Sequence, residues 1–187
     1  MVEFAGTSRN SQLLILHSWF TLDADMTIDS VTRLREWGIR LEQALNISLV
    51  DHNGALALKT KAGHLFGVGP VLGQAALIFT GIIGSADETM ASRTLYALLA
   101  ANMNPSLTGT GSIAVVPQTR DIVFRLVWMP AEHNWTEQMF GAVLAAFAEH
   151  VDALAATIAN REIEQLLDAS LSAEPTAAQA SHFSGLA

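Results

Sequence analysis

The stretch IVFRLVWMP, residues 122–130, decides how this chain is built. Read with a period of two, Ile122, Phe124, Leu126 and Trp128 project to one side, and Val123, Val127 and Met129 to the other, with Arg125 the only charge. A strand that is apolar on both faces needs a cover on both. Short antiparallel hairpins ordinarily leave one face to water.

Working outward, GSIAVV (111–116) and the turn PQTRD precede this strand, so the two form a hairpin. Before them, SADETMASRTLYALLAAN reads as a helix, with Ser85 and Glu88 at capping-box spacing and Asn104–Pro105 as its stop. After the strand, a long amphipathic helix is expected from about Trp135, capped by Asn134 and Glu137. Its core stripe is Phe140, Val143, Leu144, Phe147, Val151, Leu154 and Ile158.

Towards the N-terminus, TIDSVTRLREWGIRLEQALN reads as a helix with Val31, Leu34, Leu41 and Leu45 on one stripe and Thr27 or Asp29 as cap. After the turn-former DHNG come GALALKT (54–60), GHLFGV (63–68) and QAALIFTGII (74–83), whose short links require an antiparallel meander. The expected fold is therefore α+β, an antiparallel sheet with helices in the order α-β-β-β-α-β-β-α.

Composition narrows the function. The chain carries 18 acidic and 10 basic residues, a net charge of −8, with no basic cluster, which argues against nucleic acid and anionic membrane as partners. There are no cysteines, which removes disulfides, thiol catalysis and Cys-ligated metal. Half of the residues are hydrophobic, only 15% are charged, and the mean hydropathy is +0.32, an apolar excess of the kind that marks an interface. The run LLILHSWF (13–20) is too short for a membrane span and is interrupted by His17, so it reads as a packed segment and no membrane insertion is expected.

No catalytic constellation emerges. GVGPVLG (Gly67, Gly69, Gly73) has a spacing like that of dinucleotide-binding turns, but β-like residues follow it and no helix supplies the dipole. The six histidines form no metal-binding pair; His52 and His64 flank turns, and His150 with Glu149 and Asp152 reads as a solvated helix face. Ser112 does not sit in a nucleophile elbow. A non-enzymatic protein without cofactor or metal is expected.

The order of elements resembles the class I chaperones of bacterial type III secretion systems, the Tir chaperone-like family. The resemblance rests on LYALLAANMNPSLTGTGSIAVVPQTRDIVFRLVWMP followed by the long helix NWTEQMFGAVLAAFAEHVDAL, and covers about Thr27 to Asn160. It implies a small acidic homodimer in the bacterial cytoplasm that binds an extended segment near the N-terminus of a secreted virulence effector. Such a protein keeps the segment secretion-competent and helps present it to the secretion ATPase, without a cofactor of its own.

Carried over by position, the resemblance makes Leu95, Leu98, Leu99, Ile113, Val115, Val123 and Arg125 dimer-interface candidates. Leu34, Trp37, Ile39, Leu56, Leu58, Phe66, Leu77 and Phe79 become effector-binding candidates. Residues 1–26 form an N-terminal extension and 161–187 a C-terminal helical extension and flexible tail, both beyond what the resemblance covers. The competing reading is a dimeric protein-binding adaptor of the same fold unrelated to secretion.

Overall fold

The computed structural model describes residues 28–45, 49–52, 54–71, 73–86 and 92–165. Helix α1 (Ile28–Leu45) leads into strands β1 (Val50–His52), β2 (Ala55–Lys59), β3 (Leu65–Pro70) and β4 (Leu77–Ser85). Helices α2 (Ser92–Ala101) and α3 (Pro105–Thr108) follow, then β5 (Ser112–Val115), β6 (Asp121–Trp128), a 3-10 turn (Glu132–Asn134) and helix α4 (Glu137–Ala159). All strand pairs are antiparallel, in one sheet of six strands ordered β1-β2-β3-β4-β6-β5. The fold is the expected α+β arrangement with one strand more than the sequence reading gave. The chain turns after His52, but the first half of DHNG belongs to a strand, Val50–His52, which pairs with β2, His52 lying opposite Ala55.

One face of the sheet carries the core. Phe147 of α4 meets a phenylalanine from each of three neighbouring strands, with ring centroids 5.8 Å from Phe66, 5.4 Å from Phe79 and 5.5 Å from Phe124. In register, Gly81 lies between Phe66 and Phe124. A Cβ on Gly81 would stand 2.4 Å from Val151 Cγ2 and 3.4 Å from Phe147 Cε1, so the bare backbone is what lets α4 settle onto β4. Phe140, about two turns earlier on α4, stacks on Trp37 of α1 at 4.8 Å, and Trp37 also faces Trp135 and Trp128. Both long helices therefore lie on the same side, joined by Arg33 donating to the Trp135 carbonyl at 3.0 Å and by the Arg40–Glu137 ion pair at 2.5 Å.

Register assigns the opposite face to Ala55, Ala57, Leu65, Gly67, Gly69, Ile78, Thr80, Ile82, Val123, Arg125 and Val127. Arg125 and Val127 are exposed and Ile78 and Ile82 half-buried. The remainder are buried.

Several local expectations are corrected. Trp37 belongs to the buried stripe of α1, with Ser30, Leu34 and half-buried Leu41, where Val31 and Leu41 had been set beside Leu34 without it. Ser85 is no helix cap but the last residue of β4, paired with Asp121; Glu88 and Thr27 lie outside the described residues. Asn104 does more than stop α2: its side chain accepts from the Ser106 amide and starts α3, with Pro105 in the first turn, where its missing N–H costs nothing. The cap of α4 is Thr136, whose hydroxyl accepts from the Met139 amide. That helix ends at Asn160; Arg161 takes a positive φ of 59° and residues 162–165 begin a separate helical turn, with Ile163 buried in the core. Residues 1–26 and the tail lie outside the described residues.

Helix α4 is long and apolar enough to cross a membrane by length and composition. Its apolarity has a local cause: Phe140, Leu144, Phe147, Val151, Leu154 and Ile158 face the sheet, and the exposed side is largely alanine, including Ala142, Ala145, Ala146, Ala153 and Ala156.

Adding one methyl group at Gly81 tests this packing. Val151 is fully buried and stiff about its first side-chain torsion, so Gly81→Ala is expected to destabilise the protein by about 1–3 kcal/mol in urea unfolding. Val151→Ala in the same chain should restore part of the loss. An unchanged urea midpoint for Gly81→Ala would contradict the contact.

Candidate protein-binding site

Seven of the eight effector-binding candidates are core residues. Leu34, Leu58, Phe66, Leu77 and Phe79 are 0% exposed, and Trp37 and Leu56 only slightly more. The structure does bring them together, but beneath α1 and α4, where they hold the monomer's own fold. Ile39 is the exception, 47% exposed on the outer side of α1.

Ile39 lines a cavity of about 170 Å³ with Arg35, Gly38, Glu42, Leu49, Gly54 and Leu56. The cavity lies where α1 crosses the β1–β2 hairpin. Gly38 sets that crossing, since a Cβ there would come within 2.8 Å of Leu56 Cδ2. Glu42 pins the start of β1 by accepting from the Leu49 amide at 2.5 Å. Among the described residues, strand β1 is the end of the sheet and pairs only with β2. An apolar groove thus runs beside a strand edge.

The other end of the sheet is closed. Asn102, just past α2, accepts from the Ile113 amide at 2.7 Å through its side-chain oxygen and donates to the Ile113 carbonyl at 3.0 Å through its nitrogen. A primary amide presents the same donor and acceptor as a peptide group, so Asn102 takes the place a further strand would occupy on β5. Nothing in the sequence reading pointed to this residue, because the pairing joins positions of a helix end and a strand 11 apart.

The dimer candidates divide. Leu98, Ile113 and Val123 are buried within the monomer and Leu95 is half-buried, whereas Leu99, Val115 and Arg125 are exposed. Leu99 is 66% exposed and shares its side of α2 with Tyr96 at 61%, and Met103 at 86% follows in the turn after the helix, two residues that sequence reasoning missed. Their spacing, 96–99–103, is a helical apolar stripe turned to solvent, and was legible as such.

A second groove opens between α4 and the β5–β6 hairpin, lined by Thr108, Gly109, Thr110, Phe124, Leu126, Val143, Ala146, Phe147 and His150. His150 is half-buried, packs its ring 4.8 Å from Phe124 and has its Nε2 shielded from solvent, in contrast to the solvated position expected from sequence. Asp152 is likewise no free surface charge. It accepts hydrogen bonds from the Thr60 hydroxyl and from the Ala62 amide at 3.3 Å, and lies 2.7 Å from His64 Nδ1. Burial pushes the Asp152 carboxyl up, but the bonds from Thr60, His64 and Ala62 together outweigh it and hold it below the usual carboxylate range. Thr60 is 0% exposed, so the trio fastens the β2–β3 turn to α4 and presents no accessible nucleophile.

Among the described residues no group of His, Asp and Glu is arranged to hold a metal ion. Gly67 and Gly69 lie inside β3, and Gly73 is in the following turn with φ of 64°, leading into β4.

No family model matches the chain, and no curated protein is similar to it. Six chains of known structure are similar in fold. One comes from the HopA1–SchA chaperone–effector complex: TM-score 0.52, 12% identity, with 69% of this chain and 98% of that chain covered. The two share the α+β fold with its antiparallel sheet.

Two substitutions test the site's architecture. Asn102→Ala leaves the Ile113 amide and carbonyl without the Asn102 side chain, and should cost about 1–3 kcal/mol in urea unfolding and add concentration-dependent association visible by light scattering; the appearance of neither effect would rule out the edge closure. Asp152→Asn tests the turn clamp. A carboxyl held below its unfolded value contributes stability above about pH 4 that fades as pH falls through the folded value. The melting-temperature gap between wild type and Asp152→Asn should accordingly be full near pH 6 and shrink in strong acid, and a gap independent of pH would contradict the assignment.

Proposed function

We propose that this chain is a chaperone of a type III secretion system: a dimeric cytosolic protein that holds an extended segment near the N-terminus of an exported effector. The observation that carries the reading is the fold shared with nearly the whole length of a chain from a chaperone–effector complex. The surfaces agree with it. A client strand laid along β1 would gain main-chain hydrogen bonds from an edge unpaired among the described residues, while its apolar side chains enter the groove at Ile39.

The β5 edge, closed by Asn102, is unsuited to the same role. Self-association falls to the exposed face of α2, where Tyr96, Leu99 and Met103 present apolar area that a monomer gains nothing from exposing. The net charge of −8 favours clients whose export segments are basic or neutral.

The decisive experiment is affinity capture from the native bacterium followed by mass spectrometry. The expected result is one or more exported proteins held through their N-terminal regions. Ile39→Asp should weaken that capture by about tenfold or more without lowering the melting temperature, since Ile39 is a surface side chain. Leu99→Asp should turn a dimer into a folded monomer by light scattering, whereas Leu98→Asp, at a buried position, should unfold the protein. A wild-type monomer that retains no exported protein would overturn the proposal.

A further inference from the structure

Helix α1 and strand β1 run side by side in opposite senses. At one end the Glu42 carboxylate accepts from the Leu49 amide at 2.5 Å, and at the other Val31 Cγ1 lies 3.6 Å from where a Gly54 Cβ would stand. The rise of α1 from Val31 to Glu42 is about 16 Å, and the chain from Leu49 to Gly54 extends at most about 17 Å, so neither element strays far from the other. The cavity between them therefore has two distinct ends. Arg35 and Gly54 line one, Glu42 and Leu49 the other, with Gly38 and Ile39 between.

The two charges in this groove are differently engaged. Glu42 is half-buried and one of its carboxylate oxygens is taken by the Leu49 amide. Arg35 is exposed, and among the described residues no hydrogen bond or ion pair engages its guanidinium. The other arginines of α1 are committed to the α4 side, Arg33 donating to the Trp135 carbonyl and Arg40 pairing with Glu137. Only Arg35 is turned to the strand edge with its charge unmet by a described group.

We propose that this groove reads its client in one direction, taking an extended segment in which an aspartate or glutamate stands two residues before a single aliphatic residue. The inference rests on the chaperone reading and deepens it by naming the class of segment received. A client strand antiparallel to β1, as every other pair in the sheet is, runs in the same sense as α1 and meets Arg35 before Ile39. The spacing fits: two strand residues advance about 6.7 Å and return to the same face, while α1 rises about 6 Å from Arg35 to Ile39. The volume fits one anchor. A cavity of about 150 Å³ holds a benzene, and this groove, deepened by the bare Gly38 and Gly54, offers about 170 Å³. Glu42 fixes the sense, because an acid placed two residues after the anchor would approach its like charge. One acid against Arg35 leaves the segment free to be neutral or basic as a whole, as the net charge of −8 favours.

The full chain and synthetic peptides suffice for the test, which is thereby separate from capture of a client. The probes are short, capped, fluorescently labelled peptides of threonine and valine with one central leucine. One has aspartate two positions before the leucine, one has lysine there, and one has the aspartate two positions after it. By fluorescence anisotropy at low ionic strength the first should bind about fivefold more tightly than either of the others. That preference should fade at about 1 M salt, where the screening length is about 3 Å. Threonine in place of the leucine should cost about tenfold or more, since it empties the groove. Arg35→Glu, at an exposed position, should leave the melting temperature unchanged and make the lysine peptide the tighter ligand. Should that variant not fold, the peptide and salt comparisons on the native chain decide alone. Equal affinity for the three peptides, a preference indifferent to salt, no binding at about millimolar peptide, or a native ranking kept by Arg35→Glu would each overturn the inference. A chain that captures exported proteins but ranks the peptides equally would overturn this inference and leave the chaperone reading standing. The predicted ranking in a chain that captures none would do the reverse.

Discussion

One contact organises this molecule: a helix lowered onto a sheet at a residue that has no side chain. Gly81 leaves a depression in β4, and Phe147 and Val151 fill it, ringed by Phe66, Phe79 and Phe124. Packed interiors tolerate little change in volume, so this depression fixes where α4 lies and hence where Phe140 meets Trp37 of α1. The side on which both long helices stand follows from it.

With the helices committed to one side, every other surface has its role by default. Among the described residues the sheet has two ends of different character, β1 paired with β2 alone beside the Ile39 groove and β5 met by the Asn102 amide. An exposed strand edge risks indiscriminate pairing, and closing one end while leaving the other confines that reactivity to a single place. Under the proposed function, this asymmetry suits a protein that accepts an extended chain at one end of its sheet. In that reading the exposed stripe of α2 would give self-association a separate surface from client binding.

Much of this could be read from the sequence because periodicity is a local property. The stripe Phe140–Ile158 is almost wholly buried as expected, and the meander and second hairpin are in place. What escaped depended on contacts distant in sequence. Trp37 was set off its stripe since its partners, Trp128, Trp135 and Phe140, are about a hundred residues away. Candidate binding residues such as Leu58 and Phe79 are apolar for the sake of the core, and sequence cannot tell an apolar residue kept for packing from one kept for a partner. Strand β1 had a signal that went unused: Asn53–Gly54 between short β-like runs favours a two-residue hairpin, and His52 does pair with Ala55. The two-faced apolarity of residues 122–128 was visible at once, but only register showed which face the helices take.

The central claim is that partners bind around the core and not within it, with an extended client received at the β1 end of the sheet. Amide hydrogen exchange, compared between the free protein and its complex with the N-terminal peptide of a captured exported protein, tests it most directly. The account predicts slowed exchange at residues 49–52 and along α1 near Ile39, with β4, β6 and α4 unchanged. Slowing confined to β5 and the end of α2, with β1 unaffected, would contradict it.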